Sequence, residues 1–189
     1  MLTVIVTGMI GSGKSAVCAL LAKRGIPVYD SDSRTKALYN DVPGLKERIE
    51  AELGVPFSGL AKAIFSDADA REKLEAIVYP LVKADFEAWR DAQDAPFVVL
   101  ESAIILSKPI FDGLADAVVA VTAPEEIRLE RLIARGLTQE DASRRMASQC
   151  IDLSKADVVI HNDGTLQNLS RRVGRVFFGK NSYICRLER

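Results

Sequence analysis

Apolar positions along the chain follow two periods. Five short continuous apolar runs, at 2–7, 26–29 ending at Asp30, 97–101, 117–121 and 157–161, read as strands buried on both faces of a parallel sheet. Between them, apolar residues recur at helical spacing. A first helix follows strand one and runs to about Arg24, with Gly25 as the residue that stops it. Leu45, Ile49 and Leu53 mark a second stripe closed by Gly54, and residues 55–59 read as a loop. Ser66-Asp67-Ala68-Asp69 resembles a capping box and opens a helix carrying Leu74, Ile77 and Val78. Pro80 reads as a boundary, after which Leu81, Val82, Phe86 and Trp89 form the stripe of a separate helix. Thr122-Ala123-Pro124-Glu125 has capping-box spacing for a helix to about Arg135, and residues 164–178 form a closing amphipathic helix on Leu166, Leu169, Val173 and Val176. The alternation predicts a doubly wound α/β domain with a five-stranded parallel sheet. About sixty mainly helical residues separate strands two and three, far more than a crossover needs. That surplus predicts a helical subdomain at about 33–95, inserted into a core of 1–32, 96–125 and 156–189, with a lid at about 126–155.

The chemistry concentrates at the first strand–helix junction. Gly8-Met9-Ile10-Gly11-Ser12-Gly13-Lys14-Ser15 is a G-x-x-x-x-G-K-S phosphate loop with the flanking strand and helix that it requires. Gly11, Ser12, Gly13, Lys14, Ser15 and Ala16 are expected to cradle a nucleoside triphosphate. Backbone N–H groups and the positive helix end serve the phosphates, Lys14 bridges the outer phosphates, and the Ser15 hydroxyl ligates Mg²⁺. A right-handed βαβ unit brings Asp30, Ser31 and Asp32 to the carboxyl edge of the sheet, where the loop also opens. Asp32 is placed as the base that accepts an alcohol proton; its other use would be to cap the helix starting near Ser33. Glu101 ends strand three, a position for an acid on or behind the metal, against the alternative of a solvated strand end. Arg131 and Arg135 lie four apart on one helix face, suited either to a clamp over a phosphoryl group or to a salt-bridged solvent face.

Bulk properties narrow the setting. The chain has 189 residues, 48% of them hydrophobic, and a net charge of −1, which is one ordinary globular domain by length and removes bulk attraction to nucleic acid or anionic membrane. No apolar run reaches the ~20 residues of a membrane span, and no basic segment of signal-peptide type precedes strand one, so a cytoplasmic protein is expected. Cys18, Cys150 and Cys185 are scattered and odd in number, against a disulfide framework or zinc site. His161 is the only histidine and reads as a strand end.

Several segments together resemble the dephospho-CoA kinase family. The residues from Thr7 to Ser15 match its T-G-G-I-G-S-G-K-S, and those from Gly25 to Asp32 match G-x-P-V-I-D-A-D. The run Leu74 to Pro80 matches L-E-x-I-x-H-P, Arg131 and Arg135 match R-x-x-x-R, Met146 to Gln149 match the segment leading to a family Gln, and Ala156 to Gly164 match A-D-x-V-I-x-N-x-G. Tyr79 stands where the family usually has His, and Glu101-Ser102-Ala103 replaces the commoner D-V-P. The resemblance implies ATP- and Mg²⁺-dependent phosphorylation of the ribose 3′-hydroxyl of dephospho-CoA, the last step of coenzyme A synthesis. It further implies a monomer or weak homo-oligomer with no nucleic-acid or membrane partner. Asp32, Lys14 and Arg135 are then the catalytic set, Asn162 sits near the adenine, and Thr7, Asp30, Asp32, Tyr79, Glu101 and Arg131 face the acceptor. Two other classes stay open on the residues alone. Shikimate kinase would want a G-G-G segment, and a guanine-nucleotide switch would want N-K-x-D; the chain has neither.

Overall fold

The computed structural model describes residues 1–149, 151–179 and 182–187; Cys150, one of the scattered cysteines, lies outside them. Five strands, β1 (Leu2–Thr7), β2 (Val28–Asp30), β3 (Phe97–Glu101), β4 (Ala117–Thr122) and β5 (Val158–His161), form one sheet in the order β2-β3-β1-β4-β5. β1 pairs in parallel with β3 and β4, and β4 with β5. After β1 the chain turns towards β2 and β3, then crosses to β4 and β5, so the switch point of the sheet falls at β1. That is where an open α/β sheet binds its ligand, outside the carboxyl ends.

The strand residues are β-branched and buried, Val4, Val6, Val98, Val99, Val119 and Val121 all at 0% exposure. Helices α1 (Lys14–Ala22) and α8 (Leu166–Phe177) cover them through Val17, Leu21, Leu169, Val173 and Phe177. The Phe97 and Phe177 rings stack at 5.9 Å, adding a preferred aromatic geometry to the burial. Two carboxylates terminate the ladder: Asp116 Oδ2 accepts from Thr3 N and Asp157 Oδ2 from Val118 N, each at 2.7 Å. Both lie just before a strand, where edge amides would otherwise go unpaired. Gly25, at φ 80°, follows the first helix as expected.

The chain divides into two compact units, Met1–Tyr29 with Gln93–Arg189, and Asp30–Ala92. The second contains α2 (Ser31–Asp41), α3 (Leu45–Leu53), α4 (Leu60–Ser66) and α5 (Ala68–Asp91). Its core takes Leu45, Ile49, Leu74, Ile77, Val78, Val82 and Phe86, the residues of the expected stripes. Arg34 forks onto Asp85, Nε to Oδ2 at 3.0 Å and Nη2 to Oδ1 at 2.7 Å, tying α2 to α5.

Three local expectations are corrected. Pro80 does not separate two helices; it lies inside the 24-residue α5. Proline forfeits one backbone hydrogen bond there, but Ile77 and Val78 before it and Val82 and Phe86 after it bury a continuous face, and that burial carries the helix through. The cap of α5 is Asp67, whose side chain accepts from Asp69 N and Ala70 N, rather than Ser66. Helix α6 (Glu125–Ala134) starts after Pro124 with no side-chain cap, and the Thr122 hydroxyl instead pairs with His161 Nδ1 at 2.9 Å.

Candidate active site

The loop between β1 and α1 is shaped by glycines at three positions where a side chain has no room; at Gly8 a Cβ would lie 2.4 Å from the Val121 carbonyl oxygen. Gly11 has φ 79°, and a Cβ there would lie 2.8 Å from the Arg128 carbonyl oxygen, so α6 sits directly against the loop. Gly13 has φ 100°, and its Cβ would lie 2.1 Å from Asn162 Nδ2. Gly13 is also the N-cap of α1 and supplies no capping side chain. Ala16 N and Val17 N, at the start of α1, close onto the Gly13 carbonyl, and no side chain caps the helix. Among the described residues the amides of Gly11 and Gly13 find no protein acceptor, whereas Ser12 N bonds Met9 O and Ile10 N bonds Gln149 Oε1. Inside the same turn the Thr7 and Ser12 hydroxyls are buried without a partner. A loop that leaves two amides and two buried hydroxyls unpaired is suited to an anion.

The loop is held from behind by groups distant in sequence. Arg131 Nη1 donates to the carbonyls of Gly11 at 3.1 Å and Ser12 at 3.2 Å, and its Nη2 donates to Asn162 O at 3.0 Å. Asn162 Nδ2 donates to Ser12 O at 2.8 Å. Gln149 Oε1 takes the Ile10 amide at 2.6 Å. Ile10 itself packs on a small cluster of Leu132, Ala142 and Met146, which joins α6 to α7 (Gln139–Ala147). With the Ser12 carbonyl tied by Arg131 and Asn162, its peptide plane turns the Gly13 N–H to the opposite side. Arg131 and Asn162, assigned from sequence to the acceptor and the adenine, are placed as braces of the phosphate loop. Asn162 is 6% exposed and its Nδ2 is committed to Ser12.

The other assigned residues are distributed as follows. Ser15 Oγ donates to Glu101 Oε1 at 2.7 Å, bringing a hydroxyl and a carboxylate together at the start of α1. That oxygen pair suits a hard divalent cation that draws its remaining ligands from phosphate and water. No cluster of three or more His, Cys, Asp or Glu that could hold a metal on its own occurs among the described residues. Lys14 opens α1 and is half-buried. Arg135 is the C-cap of α6, exposed, with no side-chain partner among the described residues.

In the second unit, Asp30 is the cap of α2. Its Oδ1 accepts from Asp32 N at 3.1 Å and Ser33 N at 3.2 Å, and its Oδ2 accepts from the Ser33 hydroxyl at 2.6 Å. The capping role considered for Asp32 thus falls to Asp30. Asp32 lies exposed in the first turn with no partner for its carboxylate among the described residues. Tyr79 lies on α5, where burial, and secondarily its hydrogen bond to Glu75, push the phenol well above its ordinary range. It is a neutral, proton-bearing side chain at any physiological pH.

A parallel sheet switching at β1, a glycine-shaped phosphate loop and a hydroxyl–carboxylate pair beside it define a P-loop kinase. The family model of dephospho-CoA kinase matches residues 2–168. A dephospho-CoA kinase of Porphyromonas gingivalis is 42% identical over 158 residues, covering 79% of this chain and 78% of that one. Another, of Frankia casuarinae, is 37% identical over 190 residues, covering 94% and 82%. The crystal structure of TT1252 from Thermus thermophilus superposes with a TM-score of 0.77 at 35% identity, over 90% of this chain and 93% of that one. The chain belongs to the dephospho-CoA kinase family. No helix among the described residues is long and apolar enough to cross a membrane.

Sequence reasoning overlooked three contributors. Arg128 was not singled out, Gln149 was matched without a role, and the Ser12 hydroxyl was counted only as part of a motif. Gln149 is 139 residues from its partner Ile10, and no local pattern announces a contact of that range.

Proposed function

We propose that the chain transfers the γ-phosphoryl group of ATP to the ribose 3′-hydroxyl of dephospho-CoA, giving coenzyme A and ADP. The observation that carries this reading is the braced loop: Gly11 and Gly13 with unpaired amides, held outward by Arg131 and Asn162, beside the Ser15–Glu101 pair. Family membership supplies the acceptor. The loop amides and Lys14 bind the donor phosphates, and Ser15 and Glu101 hold Mg²⁺, which bridges phosphate oxygens and neutralises charge as it develops. Asp32, exposed and unpaired, takes the proton of the attacking hydroxyl. Arg135, with a guanidinium that no other side chain among the described residues engages, is available as a fork over the transferring group in a lid made by 126–155. Residues 33–95, with Tyr79 among them as a neutral hydrogen-bond donor, form the acceptor-binding subdomain. Thr7 contributes a buried hydroxyl at the mouth of the loop.

A coupled ADP-release assay with dephospho-CoA, shikimate and adenosine as acceptors tests the reading. Turnover is expected with dephospho-CoA and is to depend on added Mg²⁺. ADP release driven by shikimate and not by dephospho-CoA would overturn the acceptor, and tight guanine-nucleotide binding without any acceptor would overturn the kinase assignment.

A further inference from the structure

Among the described residues Arg128 is the one buried side chain that carries a formal charge. It lies on α6, is 7% exposed, and its Nε is buried without a hydrogen-bond partner. Its Nη1 reaches only the Met9 sulfur, at 3.6 Å, a weak acceptor. Among the described residues no carboxylate pairs with it. Its backbone lies against Gly11, so the residue backs onto the outer side of the phosphate loop. The small cavity beside it is lined by Gly8, Met9, Ser12, Thr122 and Arg128, without an acidic side chain. At about 10 Å³ that cavity has room for one water molecule at most, which excludes a resident phosphate-sized counter-ion.

A buried cation that is left unpaired weakens the fold, and the usual outcome is a partner or a replacement. Here the missing negative charge has one natural source, on the inner side of the same loop. We propose that Arg128 sets nucleotide affinity by charge: it is an unpaired cation held behind the phosphate loop, and its counter-charge is the polyphosphate of the bound nucleotide. The proposal rests on the donor-site reading above. Arg131 and Asn162 shape the loop through hydrogen bonds to its carbonyls. Arg128 makes no such bond, so its contribution is through-space attraction across one layer of backbone. On a Coulomb scale, with a separation of roughly 8 Å and solvent in the open loop raising the effective dielectric towards ~80, that attraction changes affinity by about twofold for each charge on the ligand. It also means that the apo protein is strained by this residue and relaxes when nucleotide enters.

The two consequences have opposite signs, which separates this role from a structural one. Arg128→Met keeps the stem and removes the charge, and Arg128→Lys keeps a charge without the fork. The test measures the melting temperature of the apo protein and the calorimetric affinity for AMP, ADP and a non-hydrolysable ATP analogue at low salt. For R128M the apo melting temperature is expected to hold or to rise, on the order of 5 °C at most. Its affinity deficit is expected to climb with each added phosphate, from about threefold with AMP to more than tenfold with the ATP analogue. R128K is expected to stay closer to the parent across the series. A deficit equal for all three nucleotides, a lowered apo melting temperature, or an R128M chain that does not fold would each show Arg128 to be a structural brace and overturn the proposal. If the parent chain binds none of the nucleotides, the donor-site reading itself fails, a result distinct from any of these.

Discussion

At the scale of single residues, the site depends on side chains that act through the loop more than on those that line it. Gly13 shows this most directly. A methyl group there collides with Asn162 Nδ2 at 2.1 Å and must also adopt φ 100°, so Gly13→Ala displaces the amide that holds the Ser12 carbonyl. The expected result is loss of nucleotide binding by at least tenfold with the chain still folded, read by calorimetry alongside circular dichroism. Asp32 acts differently. Since Asp30 supplies the cap of α2, Asp32→Asn leaves the helix intact. Its expected cost is roughly 10²-fold or more in turnover with ATP affinity nearly unchanged, on the scale of a lost general base. Turnover within a few-fold of the parent would remove Asp32 from the mechanism.

Among the elements, α5 is the instructive case. Its length was hidden by a proline that a sequence pattern reads as a break, yet the apolar face on both sides keeps one helix going for 24 residues. Pro80 is exposed, so no packing is lost on replacing it. Pro80→Ala restores a backbone donor and is expected to stabilise the chain by about 1–3 kcal/mol in denaturant unfolding. A destabilised variant would mean that the proline is required by the helix rather than tolerated. Helix α6 carries a second lesson. Capping-box spacing announced α6, but not that its Arg128 and Arg131 positions lie against the phosphate loop. A helix pattern reports that a face is covered and does not say by what.

For the molecule as a whole, the division into a sheet unit and a helical unit predicts separable responses to the two ligands. A non-hydrolysable ATP analogue alone should slow amide exchange at the phosphate loop and at the α6 and β5 residues bonded to it, in the first unit. Dephospho-CoA alone should act first on Asp30–Ala92. Hydrogen exchange read by mass spectrometry distinguishes these patterns, and uniform protection of both units by nucleotide alone would contradict the assignment of 33–95 to the acceptor.

By itself the sequence determined the things that local chemistry encodes. Continuous apolar runs specified five strands, helical spacing specified the insert, and eight consecutive residues specified a phosphate loop. Each depends on residues within a few positions of one another, where periodicity and steric rules operate. The tertiary structure decided what surrounds that loop. Arg131, Asn162, Gln149 and Arg128 reach it from 119 to 150 positions away, brought there by the packing of α6 and the order of β1, β4 and β5. Their types were visible, and Arg131 and Asn162 were even singled out, but a guanidinium or an amide looks the same in a sequence whether it will hold a ligand or a backbone carbonyl. Only the fold, by placing those carbonyls within 3.2 Å of the donors, made them supports of the loop.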